Sequence, residues 1–151
     1  MPEKPPDYSN SFYPDVTYSV AQLKQGSGEH LAPILNFLER DPYTHGSGYL
    51  KEKIWHYLRR VPLTKKQEQR LLGVAVLYVR TRLSREFFPM CRFVRGFATE
   101  HFEQQIHNLE NSDDKRVRHR ASLLAAYFTS LQHGEETRFA SHWRWLCRKD
   151  K

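Results

Sequence analysis

Cysteine is scarce in this chain of 151 residues, and Cys91 and Cys147 form no Cys-x-x-Cys pair. A disulfide framework is therefore excluded, and no thiolate cluster is present for structural zinc. Long apolar runs are missing too, since none approaches the roughly 18 residues that identify a membrane-spanning helix. No basic-then-apolar leader opens the sequence, so the expected setting is reducing and cytoplasmic. Phosphate loops are also absent. Gly26-Ser27-Gly28 and Gly46-Ser47-Gly48 lack a following Gly-Lys-Ser/Thr and read as helix starts. There is no His-Glu-x-x-His, no Cys/His cluster and no repeated Glu-x-x-His, so neither metal nor cofactor is expected.

What the chain does have is aromatic bulk and positive charge. Hydrophobic residues make up only 39%, but three Trp, eight Tyr and nine Phe supply large surfaces for one core. The net charge of +7 is unevenly placed. Residues 1–45 hold three basic residues (Lys4, Lys24, Arg40) against six acids, which leaves 21 basic and 11 acidic residues in 46–151. A basic body makes an acidic protein, or nucleic acid, a natural partner.

Residues 1–27 are expected to form an extended, partly disordered tail, with Pro2, Pro5, Pro6 and Pro14 opposing regular structure. Phe12, Tyr13 and Tyr18 are its candidate anchors on the body. A single helical domain is expected over 28–148. Its first stripe is Leu31, Ile34, Leu35 and Leu38, and its second is Leu50, Ile54, Tyr57, Leu58 and Val61, stopped by Pro62. Thr64 with Gln67 predicts a capping box for a helix over 65–83, apolar on more than one side and therefore central. Ser84 and Thr99 are predicted to start two further helices, with Phe88, Cys91, Val94 and Phe97 inward in one and Phe102, Ile106 and Leu109 in the other. The cleanest stripe, Val117, Ala121, Leu124, Phe128 and Leu131, predicts a helix over 113–132. Phe139, Trp143 and Leu146 suggest a last one. The class is thus all-α, six or seven short antiparallel helices in an irregular array or a compact bundle.

Three consecutive pairs, 29–40 with 48–61, 65–83 with 86–97 and 99–110 with 113–132, recur with a period of about 35 residues, near that of helical repeats. Asp114, Val117, Arg118 and Ala121, followed by Leu124, resemble the inner-helix pattern of HEAT-like repeats. The resemblance covers about 20 residues once. It implies an α-solenoid scaffold with an extended binding surface.

Basic residues cluster in three places. Arg85, Arg92 and Arg95 share a helical face; Lys115, Arg116, Arg118 and Arg120 crowd a helix start behind Asp113 and Asp114; Arg144, Arg148, Lys149 and Lys151 end the chain. Trp145 stands beside Arg144 as a candidate stacking or anchoring residue. These groups, with Trp145, form the expected binding surface of a non-catalytic adaptor. An acidic protein is its first expected partner and a phosphate backbone the second. The rival reading is a small enzyme with a dispersed site built from Cys91, His101 and His107. Glu52 with His56, and Glu103 with His107, are read as surface pairs one helical turn apart.

Overall fold

A computed structural model describes residues 13–42 and 47–128. Its described residues are helical, with seven α-helices and no strand. They are α1 (Pro14–Lys24), α2 (Leu31–Arg40), α3 (Ser47–Tyr57), α4 (Lys65–Thr81), α5 (Phe87–Val94), α6 (Glu100–Leu109) and α7 (Lys115–Ala125). Short 3-10 turns, Leu58–Arg60 and Ala126–Phe128, extend α3 and α7. None of these helices is long and apolar enough to cross a membrane. The helix expected around Phe139, Trp143 and Leu146 lies outside the described residues, as do Leu131 and Trp145.

Helix α1 corrects the expectation of an extended tail over 1–27. Pro14 occupies the first turn, where a missing N–H costs nothing and its fixed φ suits the helix. From there Val16, Ser19, Val20 and Leu23 fall at spacings of three and four and are buried. Tyr13 meets Phe37 edge to face at 5.1 Å, and Tyr18 meets His30 at 5.3 Å. The domain therefore begins before residue 28.

The helix starts obey local capping chemistry. Gln67 N–H donates to Thr64 Oγ1 at 3.2 Å while Thr64 N–H donates to Gln67 Oε1 at 2.9 Å, the reciprocal box expected from sequence. Thr99 Oγ1 accepts from Phe102 N–H at 3.1 Å. Asp114 Oδ1 accepts from the N–H groups of Arg116 and Val117, and its negative charge faces the α7 dipole that the neighbouring cations oppose. Ser84 does not cap α5. Glu86 holds that position, and Ser84 contributes only its carbonyl to Phe87 N–H.

Packing follows from the presence of α1. Helices α1, α3 and α5 neighbour one another in sequence along one layer, α2, α4 and α7 along the other, and α6 lies on α7 and α4. The expected pairs α4 with α5 and α6 with α7 do pack. The expected pair α2 with α3 is displaced, because α2 packs on α1 and α4 while α3 packs on α1 and α5. An additional helix at the start shifts the pairing frame by one. Helix α4 is central, as its two-sided pattern requires, and buries Leu71, Leu72, Val74, Ala75, Tyr78 and Val79. Ile54, Trp55, Phe87, Cys91, Ile106, Ala121 and Leu124 complete the centre of the core at 0% exposure. Burial of each such large apolar side chain contributes about 1.5–3 kcal/mol.

One residue of α4 works against the helix. Gly73 is exposed in its interior, and a Cβ added there meets nothing within 4 Å. Glycine at such a site costs the helix entropy without a packing return. Gly73→Ala is expected to stabilise the fold by about 0.5–1 kcal/mol in urea denaturation. An unchanged or lowered midpoint would contradict this placement of the outward face of α4.

Candidate functional site

The structure separates the basic residues that the sequence grouped. Arg85, Arg92, Arg95, Lys115, Arg116 and Arg118 are all exposed. Arg85 sits in the turn between α4 and α5, next to α3. Arg95 lies at the end of α5 with its guanidinium 5.7 Å from the Tyr127 ring. At the opposite end of α7, Arg118 Nη1 donates to the carbonyls of Ser112 at 2.8 Å and Asp113 at 3.2 Å. Arg116 and Tyr127 are separated by most of α7 and its 3-10 extension, about 16 Å at the helical rise of about 1.5 Å per residue. The cations on α5 and at the start of α7 make separate patches, and Arg144, Arg148, Lys149 and Lys151 lie outside the described residues.

Arg120 is a correction. It is buried, and its Nε donates to Val79 O at 2.6 Å. Val79 belongs to the last turn of α4, where carbonyls lack an intrahelical donor. Arg120 falls on the same side of α7 as Val117 and Leu124, so it fastens α7 to α4 and leaves the surface. Trp145 lies outside the described residues.

The dispersed Cys/His site does not assemble. Cys91 is buried, and that burial pushes its thiol well above its ordinary value of 9.0 despite the Arg92 charge. A neutral, enclosed thiol is a core residue, not a nucleophile. His101 and His107 are exposed on α6, away from it in sequence and burial. His107 Nδ1 lies 2.7 Å from Glu110 Oε1, and Glu110 thus takes the place expected of Glu103. Among the described residues no group of three His, Cys, Asp or Glu side chains is placed to hold a metal ion.

What does assemble is a face of α3 that sequence reasoning passed over. Tyr49 is 64% exposed, the one exposed large hydrophobic among the described residues. The Arg85 guanidinium lies over its ring at 3.9 Å, and Arg85 Nε is 3.3 Å from Glu52 Oε2. Just over two turns along the helix, Arg60 lies over the Tyr57 ring at 4.9 Å. Between these stacks are Lys53 and His56, and the six residues Tyr49, Glu52, Lys53, His56, Tyr57 and Arg85 line an open groove of about 430 Å³. Each exposed cation–π contact contributes about 0.5–1 kcal/mol and, above all, holds a flexible arginine in one place. The signal in the sequence was Tyr49, Lys53 and Tyr57 at intervals of four. Tyr57 also fits the apolar stripe of its helix, yet it is only half-buried. A second, larger groove of about 640 Å³ runs between α1 and α2, with Tyr13, Tyr18, His30 and Phe37 along it and the charges of Asp15 and Arg40 offsetting each other.

Behind the α3 face lies a buried ionic cluster. Lys51 is fully enclosed and donates to Asp41 Oδ1 and to Pro42 O, the latter at 2.7 Å, with Glu86 Oε1 3.7 Å away. Arg82 Nη2 reaches the same Asp41 oxygen at 3.1 Å. Lys51 Nζ also sits 5.9 Å from the centre of the Tyr78 ring. Asp41 adopts a left-handed conformation, φ 49°, as it ends α2. Aspartate tolerates that region better than most residues, which lets the chain turn its carboxylate back toward Lys51. Two cations and two carboxylates thus join α2, α3, and both ends of the α4–α5 turn. The same turn carries Arg85 onto the surface: a Cβ added at Gly48 would lie 3.7 Å from both Arg85 Cγ and Glu86 Oε2.

Comparison with protein-family models, with curated proteins and with solved structures finds no match to this chain.

The enclosed hydroxyl and thiol set an alkaline limit on the fold. Burial pushes the Tyr78 hydroxyl well above 10.0, Glu86 and Asp41 add to the rise, and Trp55 and Arg82 oppose it. Cys91 is raised likewise. Both groups are neutral in the folded state and ionise first in the unfolded chain. Their contribution is complete below the ordinary values and is lost as pH rises toward the folded ones. Stability is expected to fall from about pH 9 upward, by as much as about 1.4 kcal/mol per pH unit for each group. Urea unfolding between pH 8 and 11 measures this, and Cys91→Ala should flatten the onset. A stability that stays level or increases over that range would contradict the enclosure of both groups.

Proposed function

We propose that this chain is a non-catalytic binding or adaptor module that takes an acidic protein partner on its basic helical surface, centred on the Tyr49–Tyr57 face of α3. The observation that carries the reading is the exposed Tyr49 ring fixed under Arg85 at the mouth of an open groove. Tyrosine and arginine are enriched at the energetic centres of protein interfaces, tyrosine because its large ring has few rotatable bonds and arginine because its planar fork makes several directed hydrogen bonds. Lys53, Arg59 and Arg60 are exposed along the same stretch, so the surroundings of the groove favour negative charge. The enclosure of Cys91 supports a role without nucleophilic catalysis. A HEAT-like scaffold and a cytoplasmic setting belong to the same proposal and rest on the sequence.

A nucleic acid is the second reading, favoured by the alternation of rings and cations along α3, the arrangement that suits stacked bases and their phosphates. Two observations favour the protein. Glu52 places a carboxylate inside the groove, and the cations at the start of α7 stand apart from those on α5, so no continuous phosphate track is formed.

A random dodecapeptide library displayed on phage and selected on the immobilised full chain tests the reading. Enriched sequences should carry an excess of Asp and Glu, and Tyr49→Ala should abolish the enrichment. Enrichment of neutral or basic peptides would overturn it. So would tight binding of labelled single-stranded RNA or DNA with a log–log salt slope of about −0.7 per phosphate neutralised, which would install the nucleic-acid reading instead.

A further inference from the structure

The three residues that fix Arg85 all come from the first turns of α3. Its stem lies on Gly48, its guanidinium on the Tyr49 ring at 3.9 Å, and its Nε against Glu52 Oε2 at 3.3 Å. Positions 48, 49 and 52 share one flank of a helix, so a single turn defines where this arginine points. The arrangement uses one face of the guanidinium and one of its nitrogens. The two Nη groups hold no partner among the described residues, and the Arg85 side chain is 42% exposed.

We propose that the Tyr49–Arg85–Glu52 stack is a preformed carboxylate anchor, which seats one Asp or Glu side chain of the acidic partner. This rests on the protein-binding reading above and adds to it the residue that sets specificity. The Nη edge of a guanidinium matches a carboxylate through two parallel N–H···O bonds. Stacking and the Glu52 ion pair have already removed much of the freedom an arginine side chain loses on binding, so little more is lost when the ligand arrives. Glu52 also tunes the charge. With Arg85 it leaves a nearly neutral pair, and Lys53 one residue further supplies the net positive charge that receives a single carboxylate. A dianionic phosphate would meet Glu52 directly and gain less. Lysine cannot replace Arg85 here, since an ammonium neither stacks flat on Tyr49 nor offers a planar pair of donors.

The probe is an acidic dodecapeptide from the displayed library, labelled with fluorescein, beside the same peptide with every Asp and Glu changed to Asn and Gln. Anisotropy titrations use the full chain as wild type and as Arg85→Lys, Arg85→Ala, Tyr49→Phe and Arg116→Ala, each first shown by circular dichroism to keep its helicity. Arg85→Lys should weaken the acidic peptide by about tenfold or more although the net charge is unchanged. Tyr49→Phe should bind within about twofold of wild type because the ring remains, and Arg116→Ala should do the same because it stands away from the groove. The amide peptide should lose affinity for wild type but little for Arg85→Ala. If Arg85→Lys binds like wild type, or if Arg85→Ala and Arg116→Ala weaken binding equally, charge is read diffusely and the anchor is wrong. If the wild-type chain enriches no acidic peptide, the functional reading itself falls, an outcome distinct from an acidic peptide that binds without needing Arg85.

Discussion

A lysine with no access to water governs the arrangement of this protein. An isolated ammonium in the interior would cost several kcal/mol in lost hydration, so Lys51 can be buried only where oxygen atoms replace its solvent. Asp41, Pro42 and Glu86 supply them, and Arg82 also pairs with the Asp41 carboxylate. These partners stand on α2, at the end of α4 and at the start of α5, whereas Lys51 stands on α3. Satisfying one charge therefore fixes the relation of four helices. An apolar core of the same volume would hold the helices together as strongly, but it would specify their rotation less tightly.

The rotation of α3 decides which of its side chains reach the surface. With Lys51, Ile54, Trp55 and Leu58 turned inward, Tyr49, Lys53 and His56 must face out. The neighbouring turn then delivers two adjacent residues to opposite tasks. Glu86 closes on the buried lysine, and Arg85 emerges beside Tyr49. Core and surface are connected by a single peptide unit. A slip of α3 by one residue would separate the ring from the guanidinium and leave the interior charge unpaired.

Much of the helical frame was legible because it rests on local rules. Thr64 with Gln67, Thr99 and Asp114 act where their hydrogen bonds are made, within three residues, and apolar spacing located α2 through α7. What escaped depended on distant partners. Pro14 reads as a breaker until its place in a first turn is known, so α1 was missed and the helix pairing shifted. Arg120 reads as one of four crowded cations, yet its carbonyl partner lies 41 residues earlier on another helix. Lys51 sits in a Lys-Glu-Lys run that has every mark of a solvated face. The candidate site was legible only at Arg85. Its aromatic half was hidden because Tyr57 also fits the apolar period, and Tyr49 gains meaning only through a residue 36 positions away.

A double-mutant cycle measures directly how strongly the Lys51 cluster couples these helices. Lys51→Met, Asp41→Asn and the pair combined would be unfolded in urea at pH 7 alongside the unaltered chain. Each single change removes the nearest partner of one buried charge, leaving Asp41 with Arg82 or Lys51 with Glu86 and Pro42 O, a loss of up to about 3–5 kcal/mol, whereas the double change removes both charges of the direct pair together. The double variant is expected to be more stable than the sum of the single losses implies by at least about 2 kcal/mol. Losses that add to within about 0.5 kcal/mol would mean that the two residues act independently, and that something other than this cluster orients α3.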